Sequence, residues 1–187
     1  MIKIAPVYPA LEYLRYAPLS LESFYYYASN GDPQYLQMLA YNQYLPSSEF
    51  HFLFDYAGGG RKYARFTALL EKLLNHASVP PAYLEEFVLG FPEIVASNLR
   101  TRKATLIKIL NHENLQAEKY IAALNPNSPI ELASRYLNEY WDVLQGPDKN
   151  YVPSVEKRCN EYLASMDWDK ETLESTPLNM KLSIVAS

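Results

Sequence analysis

Cysteine is almost absent: Cys159 is the only one in 187 residues, so no intrachain disulfide can form and stability has to come from a buried core. That fits a reducing compartment, and a cytoplasmic location is the expectation. Glycine is scarce at 6 residues, which leaves few flexible turns. No uninterrupted apolar run approaches the roughly 20 residues that a membrane helix needs. Residues 1–10 lack a basic region followed by an apolar one, so neither a span nor an export signal is read. Positive charge is not in excess either. The formal net charge is −4, which gives no overall electrostatic drive toward nucleic acid or anionic lipid and leaves only local basic patches to consider.

What is present belongs to a folded helical chain. Hydrophobic residues make up 49% and charged residues 20%, enough apolar surface to offset the entropy of ordering. The length suits one domain. Tyrosine, at 17 residues, is the outlier, and rings that are apolar with a polar tip suit packed helices. Proline, at 13, falls mostly in front of helix-like segments, where a missing N–H costs nothing.

The spacing predicts short helices along most of the chain. They cover 9–16, 21–28 capped by Ser20, and a segment from Pro33 capped by Asp32. Another opens at Ser47-Ser48-Glu49, and the aromatic runs near Phe24 and Phe52 leave strands open as an alternative there. Gly58-Gly59-Gly60 reads as a hinge or loop. Tyr63, Phe66, Leu69, Leu70, Leu73 and Leu74 then mark a helical stripe. Further helices are expected over 80–89, 92–98, 101–110, 115–124, 128–144, 152–164 and after Asp169. Ser128, Pro129 and Glu131 form the strongest start signal, a capping box with proline in the first turn. Residues 176–187 read as a flexible tail. The fold class is all-α, with short stacked helices forming a solenoid-like helical repeat whose core runs over about 62–144.

Two registers of self-similarity compete. Leu70 to His76 lies over Leu106 to His112 at one shift, while Asn75, Asn98 and Asn125 each end one segment and precede another at shorter spacings. Asn42 begins the same series upstream. The stretch Ile121-Ala122-Ala123-Leu124-Asn125-Pro126-Asn127-Ser128-Pro129-Ile130-Glu131-Leu132 resembles the junction of the leucine-rich repeat variant, a HEAT-like bacterial helical repeat, over about 75–137. The resemblance implies alternating longer and shorter helices in a right-handed solenoid used as a binding surface. It carries over no catalytic residue, and general HEAT-like stacking stays open beside it.

No catalytic residue, metal ligand or cofactor is assigned. His76 and His112 recur at similar junctions, either as a metal pair or as rings capping helix C-termini, and capping explains the recurrence with fewer assumptions. Cys159 has no base partner in sequence and reads as a buried, inert thiol. Glu85-Glu86 and the Asp167, Asp169 pair read as exposed faces and caps. The candidate binding residues are the cations Arg61, Lys62 and Arg65 and, further along, Arg100, Arg102 and Lys103, with Lys108 beyond them. The expected function is a non-catalytic module, not an enzyme, that binds another protein through the concave face of stacked helices, without membrane contact. The alternative is a HEAT-like nucleic-acid-binding module using the Arg61 and Arg100 groups.

Overall fold

The computed structural model describes residues 11–30, 32–56 and 67–187. Among these, every regular element is helical, and the strand alternative at Phe24 and Phe52 gives way to helix. By its packing the chain divides into two compact units, Met1–Tyr83 and Leu84–Ser187, where length alone suggested one domain.

The first unit holds α1 (Leu11–Tyr16), α2 (Leu21–Ser29), α3 (Pro33–Ala40), α4 (Ser47–Tyr56) and α5 (Thr67–Leu74). Local chemistry sets the starts as expected. Ser20 accepts from the Ser23 amide, and Asp32 accepts from the Gln34 amide at 2.8 Å with Pro33 opening the helix behind it. These helices are too short to hold alone, so burial fixes them. Packing centres on α3, which meets α1, α2 and α5. Leu36 and Leu39 of α3 and Leu14, Phe24, Phe50, Leu53, Leu73 and Leu74 are buried.

From α6 (Pro81–Glu86) the chain enters the second unit, with α7 (Pro92–Ser97), α8 (Lys103–Leu110), α9 (Gln116–Leu124) and α10 (Ile130–Glu139). α11 (Trp141–Gln145), a 3₁₀ turn at Lys149–Tyr151, α12 (Val152–Ala164), α13 (Lys170–Ser175) and α14 (Leu178–Val185) complete it. α9 packs on α7, α8 and α10, and α10 packs on α12 and α14.

Three expectations need correction. The helix expected over 128–144 breaks into α10 and α11 at Tyr140 (φ −100°, ψ 32°), where the Tyr140 ring packs on Tyr120 with centroids 5.0 Å apart. The Ser128 capping box does not form: Pro129 is the N-cap, and the Ser128 hydroxyl donates to the carbonyl of Ala122. That carbonyl belongs to a fully buried residue and also accepts from the Asn125 amide, so the hydroxyl adds a second donor at the end of α9 instead of capping α10. Residues 176–187 are not a flexible tail. They contain α14, which buries Leu178, Lys181, Leu182 and Val185 against α10 and α12.

Candidate functional site

Polar side chains at the helix junctions reach back to the carbonyls of an earlier junction. In the first unit, Asn42 is buried, and its Nδ2 donates to Leu14 O at 2.7 Å and Ala17 O at 2.8 Å. Its Oδ1 accepts from the Tyr44 amide, the local Asx turn that makes asparagine a junction residue. His76 repeats the device one junction later: Nδ1 accepts from the Ser78 amide at 3.0 Å, and Nε2 meets the Asn42 carbonyl at 2.8 Å. A ring nitrogen facing a carbonyl must carry the proton and one facing an amide must not, so these contacts specify the neutral Nε2–H tautomer. Phe50 packs edge-on against the ring.

The second unit uses the same scheme. Asn125 donates to Ala96 O at 2.8 Å and Asn98 O at 3.0 Å while its Oδ1 accepts from the Asn127 amide. Asn98 makes the matching turn with the Arg100 amide. Three residues after each asparagine a hydroxyl closes the preceding helix: Thr101 donates to Val95 O, and Ser128 to Ala122 O. Arg158 of α12 takes the next step, donating to Ala123 O at 3.1 Å and Ser128 O at 2.8 Å. Burial lowers the pKa of its guanidinium, offset by the neighbouring Cys159 and Glu131.

This network separates the two competing registers. At the first junction His76 is the hook, while Asn75 is exposed and, among the described residues, its side chain bonds its own helix at Glu71 O. At the later ones Asn98 and Asn125 are joined directly. Among the described residues His112 makes the local turn, accepting from the Asn114 amide at 3.3 Å. Among the described residues no group of three or more His, Cys, Asp or Glu is placed to hold a metal ion.

Of the candidate binding residues, Arg61, Lys62 and Arg65 lie outside the described residues, as does the Gly58-Gly59-Gly60 triplet. Arg100, Arg102 and Lys103 come together on the exposed turn that opens α8. Cations at a helix N-terminus add to its partial positive charge, so this turn is a local positive site. Lys108 is taken by Glu85 at 2.8 Å, and the hydrogen bond and charge of Lys108, helped by the charge of Arg102, hold the Glu85 carboxyl below its usual pKa. Asp169 is the N-cap of α13, accepting from the amide and hydroxyl of Thr172, which lowers its pKa. Cys159 is fully buried, and burial pushes its thiol up to about 11 against the opposing pull of Arg158 and Lys181. A thiol in that state is a poor nucleophile at neutral pH.

Two features carried no signal in the sequence. Lys181 is 1% exposed and pairs with Glu156 at 3.1 Å; its position within an apparently unpatterned tail concealed it. The other is where the tyrosines stand. Leu11, Tyr13, Tyr16, Leu21, Tyr25 and Tyr26 of α1 and α2 are all exposed. Around them Tyr27 lies edge-to-face with Tyr26 at 5.1 Å and with Tyr35 at 5.4 Å, and Tyr25 with Phe52 at 5.7 Å. Tyrosine excess was visible in composition, but exposure on two consecutive short helices was not. Comparison with known proteins adds no relative: no family model, no curated protein and no solved structure matches this chain.

Proposed function

We propose that the chain is a non-catalytic protein-binding module assembled from stacked helical repeats. The carrying observation is the run of large exposed side chains on α1 and α2, Leu11, Tyr13, Tyr16, Leu21, Tyr25 and Tyr26. Large apolar and aromatic groups left exposed on consecutive short helices suit association, and tyrosine combines a rigid ring with a hydroxyl that stays satisfied in or out of a complex. The repeat reading draws support from the junction hooks at Asn42, His76 and Asn125, joined by Arg158 from within α12, each spanning back to an earlier junction. In stacked repeats each unit contacts its neighbours, and such bonds between consecutive turns suit that arrangement. Affinity capture from the native host, followed by mass spectrometry, tests the reading. A stoichiometric protein partner is expected, and its absence overturns the proposal.

A second reading rests on the Arg100, Arg102 and Lys103 turn: a cationic site at a helix N-terminus suits phosphates or an acidic surface. Salt-sensitive retention of a labelled duplex, weakened by Arg100→Ala and Arg102→Ala, would support nucleic-acid binding. No retention at low salt would exclude it.

A further inference from the structure

We infer that the tyrosine face of the first unit is a receptor for a cationic, arginine-rich segment of a partner protein; this rests on the protein-binding reading above and names the chemistry of the partner. The face is built from three helices. Tyr26 and Tyr27 of α2 stand edge-to-face, and Tyr35 of α3 closes on Tyr27. Tyr13 of α1 lies close enough to act electrostatically on Tyr27, whose hydroxyl is held above its usual pKa by burial first and by Tyr26 and Tyr13 after it. The outer rings stay open, Tyr13 at 52% exposure and Tyr26 at 67%.

Two further observations select the ligand. Glu22 stands four residues before Tyr26 on α2, so its carboxylate shares a helix face with an open ring, while Glu12 stands four before Tyr16 on α1, whose ring already holds Arg15. Both carboxylates are exposed and have no ion-pair partner among the described residues. A ring face beside an unpaired carboxylate attracts a guanidinium twice, through the ring quadrupole and through charge. The same unit already displays this chemistry: Arg15 sits over the rings of Tyr16 and Tyr41 at 5.0 and 4.7 Å, and Lys72 lies 4.8 Å from the Tyr41 centroid. Those cations are the chain's own, whereas the Tyr13 and Tyr26 faces are left for another's. Nucleic acid is disfavoured here, because Glu12 and Glu22 would repel phosphates that the rings alone would have to hold.

The test is fluorescence polarisation of a labelled peptide of alternating arginine and glycine against the full chain. A matched peptide of alternating glutamate and glycine serves as the control. Saturable binding of the arginine peptide only is expected. Tyr13→Ala with Tyr26→Ala, which leaves net charge untouched, is expected to weaken it by about 10-fold, from two lost cation–ring contacts. Tyr26→Phe keeps the ring and should bind nearly as the parent does, and matching circular dichroism melts show that the variants fold. Glu22→Gln should weaken binding and flatten its salt dependence. The inference is overturned if the arginine peptide does not bind at low salt, or if the Tyr13→Ala/Tyr26→Ala chain binds unchanged, as attraction to net negative charge alone would give. It also falls if the face pairs with a second copy of this chain, seen as a dimer by sedimentation that those substitutions dissolve. If a captured native partner carries no cationic segment and binds the variant equally well, this inference fails while the protein-binding reading stands.

Discussion

Asn125 shows how much one side chain does at a junction. Its amide is buried, with both donor contacts on backbone carbonyls an earlier junction away and its oxygen on the Asn127 amide. Asn125→Ala removes the side-chain donor from the Ala96 carbonyl and one donor from the Asn98 carbonyl, which keeps the Thr101 amide, and an expected loss of about 1–3 kcal/mol should appear in urea unfolding. Asn127→Ala is the contrast. Its exposed Nδ2 bonds Leu99 O and Thr101 O, groups that water can reach more easily, so less than about 1 kcal/mol is expected. Cys159 gives a second test at this scale. Its folded pKa of about 11 lies above the ordinary thiol value, so the folded state holds the proton more tightly than the unfolded chain. That stabilisation is complete below about pH 8.5 and declines as pH rises through the folded value. Iodoacetamide should therefore label the native chain slowly at pH 8 and quickly once it is unfolded in urea. Equal rates would show that the thiol is not buried.

Among the helices, α14 carries the largest departure from what the sequence suggests. Leu178, Leu182 and Val185 repeat at helical spacing, but Met180 and Ile184 are exposed between them and Lys181 sits inside, which blurs the stripe. Periodicity fails when a charged residue occupies the buried face. Leu182→Ala should cost about 2–4 kcal/mol, as for a filled core position. Lys181→Met removes the buried ammonium and leaves the Glu156 carboxylate, 44% exposed, to water, so it should be neutral or stabilising, while Glu156→Ala leaves the buried Lys181 without its partner and should destabilise. If Lys181→Met destabilises as strongly as Leu182→Ala, the pair contributes more than its desolvation costs. Where local chemistry alone decides, the sequence was readable: the Ser20, Asp32 and Asp169 caps all accept first-turn amides. Ser128 was misread because two uses of one hydroxyl compete, and a buried carbonyl six residues back decides the contest, which local sequence rules do not register.

For the whole molecule, the helical class was legible because short apolar stripes recur along the chain. Which residues repeat was legible only in part: Asn42 and Asn125 read as one series, but His76 and Arg158 reach earlier carbonyls with chemically different side chains that no match by letter registers. Sequence comparison by letter favours Asn75, and contact favours His76. The exposed rings of α1 and α2 were legible only as a tyrosine excess, since exposure depends on which neighbours cover each ring. Affinity capture with the full chain as bait, quantified by mass spectrometry and repeated with the Tyr13→Ala/Tyr26→Ala variant, tests the binding role most directly. A protein-binding module predicts one protein recovered near equimolar ratio with the parent chain and depleted with the variant, whose melting temperature is unchanged. Recovery of no protein above the bead background, or of nuclease-sensitive nucleic acid alone, would contradict it.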